Sequence, residues 1–285
     1  MSKKLIYILG TGRTGTTLIG IVLSNNPEIF DTGEILKFIE LKGEPHGFSQ
    51  DTKNYQFWKR MYHDLEKDLH LDEGLNTIIR RIEYHKFFLL NFISKKKSKS
   101  KQRAYSKYIN AFFSRIFCQT KNIVIDSSKY PGRALAIERH LKSDIEKYYI
   151  YLKRNPISVI NAFAKKGLEQ PSKGYLATNI YYFLINLFCN MVLLRIHRKR
   201  KITIKYEDFI AEPTETLITI QNKFHINLNN SIELIKNNEE LKTGYIFEGN
   251  RIRLQERIRI VQVNKKIKPG KLKDYLTLVF NGFWY

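Results

Sequence analysis

The stretch KLIYILGTGRTGTTLIGIVLS, residues 4–24, decides how this chain is read. Lys4 to Leu9 is a short apolar run of the kind found in a strand buried on both faces, and Thr16 to Ser24 reads as a helix. The turn between them holds three glycines, Gly10, Gly12 and Gly15. Glycines let backbone N–H groups point at an anion, and the N-terminus of the following helix adds its dipole, so an oxyanion is expected here. Two known patterns overlap on these residues. Gly10, Gly12 and Gly15 satisfy G-x-G-x-x-G, with Asp31 and Glu34 about 20 residues further on, as a dinucleotide-binding fold requires. Gly10 and Gly15 also have the spacing of a Walker A loop, but Thr16 stands where that loop needs its lysine, which argues against a triphosphate and magnesium site.

Outward from this turn, Asn122 to Asp126, Lys147 to Leu152 and Ile202 to Lys205 are further short apolar runs. Each precedes a segment of helical character: Arg133 to Leu141, Pro156 to Lys166, and Pro213 to Phe224. Strands alternating with helices predict an α/β fold with a parallel central sheet flanked by helices, in a P-loop-like nucleotide-binding topology. Ligands in such sheets bind beyond the carboxyl ends of the strands. A mostly helical insertion, residues 35–120, lies between the first and second of these strands and is expected to form an acceptor-side lid on a single domain spanning 1–285. Within it, Lys95 to Arg103 (KKKSKSKQR) reads as an exposed or disordered loop. Tyr181 to Leu194, interrupted by Asn186 and Asn190, falls short of the roughly 20 residues of a membrane span and reads as a buried helix.

With 285 residues and 43% apolar content the chain can bury a real core, which excludes disorder as its main state. Lys and Arg number 49 against 27 acidic residues, a formal charge of +22 that points to an anionic partner. Cys118 and Cys189 lie far apart in sequence, so neither a disulfide scaffold nor a zinc site is indicated, and no metal-ligand spacing is visible. The apolar run Leu5 to Leu9 is too short for a signal peptide. A soluble cytoplasmic protein is the expectation.

Arg13-Thr14-Gly15-Thr16-Thr17 resembles the 5′-phosphosulfate loop of the sulfotransferases that use 3′-phosphoadenosine 5′-phosphosulfate, PAPS. Three later segments extend the resemblance in the family's order, from residue 5 to about residue 260. Lys153-Arg154-Asn155-Pro156 looks like the 3′-phosphate element, with Arg154 in the arginine position. The family's serine eight residues on is replaced by Ala162, and Ser158, one helical turn earlier, is the candidate substitute. Tyr206-Glu207-Asp208 looks like the segment whose tyrosine approaches the nucleotide. Gly249-Asn250-Arg251 resembles the late basic loop that closes over it.

The resemblance implies an enzyme that binds PAPS through Gly12, Arg13, Thr14, Gly15, Thr16, Thr17, Arg154, Ser158, Tyr206, Asn250 and Arg251, and releases 3′-phosphoadenosine 5′-phosphate, PAP. Sulfuryl transfer needs a base for the acceptor hydroxyl and donors for charge on the leaving oxygen. Asp31-Thr32-Gly33-Glu34 and Asp126-Ser127-Ser128-Lys129 resemble elements of the carbohydrate- and tyrosine-sulfating branches, implying Glu34 as base and Lys129, with Arg13, as electrostatic clamp; His46 is the reserve base. No metal takes part in this in-line scheme. A glycan or related alcohol, anionic or lipid-linked, is the expected acceptor, and peripheral contact with a membrane surface stays open. Two other classes are carried along. A dinucleotide oxidoreductase requires an apolar second strand ending in an acid, for which Asn25 to Glu34 is too polar and too broken by Pro27. A basic nucleic-acid-binding protein without catalysis would explain the charge but not the polar residues at four strand ends.

Overall fold

In the computed structural model, which describes residues 2–93, 98–165, 174–261 and 267–285, the first strand, β1 (Lys3–Leu9), is central to the sheet. Both its faces are covered, which explains why its sequence runs apolar without alternation. Leu5, Tyr7 and Leu9 point into one apolar cluster, Ile6 and Ile8 into another. Helix α1 (Thr16–Ser24) packs in the second cluster. A short strand, β2 (Ile29–Asp31), follows, and then four helices, α2 (Lys53–Asp68), α3 (Glu73–Glu83), α4 (Phe88–Ile93) and α5 (Lys99–Gln119). The remaining sheet is β3 (Ile123–Lys129), β4 (Ile145–Lys153) and β5 (Lys201–Lys205), with α6 (Pro131–His140), α7 (Pro156–Ala164) and α8 (Tyr175–Leu194) between them. Helices α9 (Tyr206–Ala211), α10 (Pro213–Phe224) and α11 (Asn229–Lys236) follow. A two-residue antiparallel pair, β6 (Leu241–Lys242) with β7 (Arg257–Ile258), and helix α12 (Leu272–Asn281) complete the described chain.

The five large-sheet strands are all parallel, in the order β2-β3-β1-β4-β5. This is the α/β, P-loop-like arrangement expected from the alternating pattern. The 35–120 segment shares its interior with the sheet: Phe38, Trp58, Tyr105 and Phe112 join Leu5, Tyr7 and Val124 in one cluster. Its helices form the layer on one face, while α1, α10 and α11 cover the other.

The structure corrects several expectations. Asn25 to Glu34 does contain a strand, β2, so the insertion lies between the second and third strands in sequence. Three residues at a sheet edge are too few to show periodicity. Second, the basic run Lys95 to Arg103 is helical from Lys99, where α5 begins; Lys95 to Lys97 lie outside the described residues. The helix expected to reach Lys166 ends at Ala164, and Lys166 likewise lies outside them. Third, the order of strands removes the oxidoreductase reading. A dinucleotide fold places its second strand beside the first, whereas β1 pairs with β3 and β4 and β2 sits at the edge.

Candidate active site

The four sequence segments singled out above meet at the carboxyl ends of β1, β4 and β5. Gly15 adopts φ 96°, and a Cβ there would fall 2.4 Å from Cε2 of Tyr206. The loop's tight passage over the Tyr206 ring therefore requires glycine. The Arg154 guanidinium lies 4.3 Å from the centre of the same ring and donates from Nη1 to the Arg13 carbonyl at 2.8 Å. Arg13 itself is left-handed (φ 66°), its guanidinium 5.8 Å from the Phe163 ring of α7. Asn250 donates its backbone N–H to Thr17 Oγ1 at 3.0 Å, closing the late basic loop onto the start of α1. Arg251 is exposed at the head of the short turn that follows.

Two further residues hold this arrangement. Glu207 accepts the Asn155 N–H at 3.1 Å and the Tyr285 hydroxyl at 2.9 Å, so the second residue of the Tyr-Glu-Asp segment fixes the strand-end turn. Asn155 in turn caps α7 through the Ile157 N–H. Not every expected ligand is presented alike. Thr14 donates its hydroxyl to the Thr11 carbonyl at 2.7 Å, and the Gly12 N–H donates to Tyr181 Oη at 3.2 Å. The Thr16 hydroxyl makes no hydrogen bond among the described residues, while its backbone opens helix α1. Ser158 is half-buried on the first turn of α7.

The second half of the site is built on a bulge. Tyr7 pairs with Asp126 and Leu9 with Lys129, so β3 carries one extra residue over this interval and Lys129 reaches φ 63°. Bulges re-aim side chains in this way. The buried Lys129 ammonium donates to Glu34 Oε1, forming an ion pair. Glu34 is presented by Gly33 (φ 72°), where a Cβ would lie 2.6 Å from the Glu248 carbonyl oxygen. The Glu34 N–H donates to that same oxygen at 2.8 Å, the Phe247 N–H to the Thr32 carbonyl at 2.9 Å, and the Ile35 N–H to Ser128 Oγ at 3.1 Å. His46 is turned outward, with Nδ1 3.1 Å from Glu248 Oε1, and pairs with that carboxylate instead of facing Lys129.

Sequence reasoning passed over Tyr181, Glu248 and His85. Tyr181 sits on α8, where an aromatic residue is indistinguishable from core, and burial pushes its hydroxyl up to about 12, so it stays protonated. His85 stacks on Tyr130, the residue after Lys129, at 5.7 Å and meets Tyr181 edge-on at 5.9 Å. Only the tertiary fold brings these rings together.

Asp31, at the end of β2, is buried and receives the Gly33 N–H on Oδ1 at 2.9 Å, while Oδ2 has no hydrogen-bond partner among the described residues. Burial raises its carboxyl from 3.8 to about 7; the Gly33 N–H pulls the other way and the Asp126 charge adds to the rise. Between those two values the folded chain holds a proton that the unfolded chain has released. The stabilisation is full below about 3.8 and is lost as pH rises through about 7, at roughly 1.4 kcal/mol per pH unit. Asp31→Asn should remove this part of the pH dependence. Urea melts of both proteins from pH 5 to 8 should show their difference in unfolding free energy moving in favour of the variant with increasing pH; a constant difference would mean that Asp31 is ionised throughout.

A parallel sheet with strand order 2-3-1-4-5, a glycine loop on its central strand and arginines converging at its carboxyl edge together define a P-loop-like nucleotide-binding fold. The sequence profile of the sulfotransferase family matches residues 6–230, and the chain belongs to that family of enzymes. A noncatalytic nucleic-acid binder is thereby set aside. Among solved structures, the sulfotransferase domain of the curacin biosynthetic pathway is similar over 97% of this chain and 96% of its own, at 17% identity and a TM-score of 0.52. The sulfotransferase domain of the Synechococcus PCC 7002 olefin synthase is similar over 100% and 96%, at 17% identity and a TM-score of 0.53. A Mycobacterium avium sulfotransferase is similar over 83% and 68%, at 11% identity and a TM-score of 0.50. At these identities the likeness speaks for the fold. No curated protein sequence matches the chain.

Proposed function

We propose that the chain transfers the sulfuryl group of PAPS to an alcohol, with the donor held across Arg13 to Thr17 and Arg154. The observation that carries this reading is the pair of buried guanidinium nitrogens, Arg13 Nε and Arg154 Nε, that lack a partner among the described residues beside the glycine loop. Leaving such donors unmet is costly, and the oxygens of a phosphosulfate or a ribose phosphate would meet them. The Thr16 hydroxyl and the helix N-terminus add uncharged donors, Tyr206 offers a ring face, and Asn250, Arg251 and Ser158 complete the rim. In the transfer, the acceptor oxygen forms a bond to sulfur while the bond from sulfur to the 5′-phosphate oxygen breaks. Glu34 takes the acceptor's proton on Oε2, since Oε1 is held by Lys129. Lys129 and Arg13 stabilise charge on the departing phosphate oxygen.

A glycan or related alcohol is the acceptor class this reading favours, on the Gly33-Glu34 and Ser127-Ser128-Lys129 elements. Calorimetric titration with PAP tests the donor site. The intact protein should bind it, and Arg13→Ala and Arg154→Ala should each weaken binding by about 10- to 100-fold, the worth of one charge-assisted hydrogen bond. Absence of binding, or binding unchanged in both variants, removes the reading.

A further inference from the structure

We propose that α4, α8 and α12 together form a face that docks on an anionic lipid bilayer. Helix α8 contains no charged residue over its whole length. Its Tyr182, Asn186 and Cys189 are buried, so it packs as a core helix, yet Leu176, Ile180 and Leu184, four residues apart, form an exposed stripe on the other side. Helix α12 lies beside it: Tyr175 donates to the Lys273 carbonyl at 2.6 Å, Asn281 to Asn179 Oδ1 at 2.9 Å, and the Phe183 ring sits 5.5 Å from that of Phe280. The outer side of α12 presents Leu272, Leu276 and Val279, the last 82% exposed. Further along α8, Phe88 of α4 stacks on Phe188 at 4.5 Å while Leu89, Leu90 and Ile93 face outward. Single exposed apolar residues are ordinary, but such residues on three helices, two of them packed on the third, mark an interaction site.

The surrounding charge selects the partner. The described residues of α4 and α8 carry no acid, and Lys86, Arg195, Lys271 and Lys273 stand exposed at the helix ends. Asp274, on α12, is engaged by the N–H groups of Gly270 and Lys271. A second copy of a chain with net charge +22 would bring one basic rim against another. An anionic bilayer complements both parts, taking the apolar side chains below its headgroups and pairing the lysines and arginines with lipid phosphate.

The test does not depend on the sulfuryl-transfer reading, because its readout is binding to vesicles. The full chain should co-sediment with phosphatidylglycerol–phosphatidylcholine vesicles and not with phosphatidylcholine alone. Leu276→Asp/Val279→Asp should lower the partition coefficient at least tenfold with an unchanged melting temperature, since both side chains face water, and Leu90→Asp should weaken binding from a separate helix. Three results would overturn the proposal: no binding to the anionic vesicles, binding that these variants leave unaltered, or a concentration-dependent dimer in sedimentation equilibrium that the double variant abolishes.

Discussion

Lys129→Ala is expected to lower kcat by roughly 100- to 1,000-fold, the usual effect of removing one donor from a developing oxyanion, while the affinity for PAP changes little. The ammonium is buried, bonded to Glu34, and placed by the bulge in β3. A lysine serving only as the partner of Glu34 would instead show its loss in the melting temperature. Glu34→Gln separates the two roles further. It keeps a side chain of the same shape beside Lys129 but cannot accept a proton, so kcat should fall while the affinity for PAP stays close to that of the intact protein. Rates are read as PAP released with the hydroxyl acceptor found by screening saccharides, lipids and phenols with radiolabelled donor. If Lys129→Ala retains more than a tenth of kcat, the clamp lies elsewhere.

Arg133→Ala should produce the largest loss of stability, about 3–5 kcal/mol in urea denaturation, because it leaves buried carboxylates without their cation. Arg133, on α6, donates to Asp126 Oδ2 at 2.7 Å and to Glu83 Oε1 at 2.6 Å, with all three side chains almost fully buried. Tyr105 adds its hydroxyl to Glu83 at 2.6 Å. The network ties the insertion helices α3 and α5 to the sheet. It also reaches the site: Asp126 Oδ1 accepts the Ser128 N–H, and Ser128 Oγ accepts the Ile35 N–H next to Glu34. Activity of the variant should therefore fall at temperatures where it is still folded. A loss below 1 kcal/mol would show that the carboxylates are neutral or reached by water.

Local chemistry explains what the sequence made readable. Strands β1 and β3 and the second half of β4 announce themselves as apolar runs because helices bury them on both faces, and the anion loop announces itself through Gly10 and Gly15, where a Cβ would collide with Leu152 and Tyr206. Arg13, Arg154, Tyr206 and Asn250 could be singled out because each lies in a short segment of recognisable order. What stayed hidden depends on contacts distant in sequence. The β2 strand is fixed by pairing with β3 more than 90 residues later, Tyr181 reaches Gly12 across 169 residues, and Arg133 finds Glu83 across 50. The same holds for the basic run at Lys99 to Arg103, whose composition suggests a loop but which is the first turn of a helix anchored by Tyr105 and Tyr108.

The backbone bonds from Phe247 to Thr32 and from Glu34 to the Glu248 carbonyl join positions more than 200 residues apart. During synthesis, the segment bearing Thr32 and Glu34 leaves the ribosome long before Phe247 and Glu248 have been made. The nascent chain therefore cannot complete this edge until translation has passed residue 248 and that late segment has folded back over the earliest one.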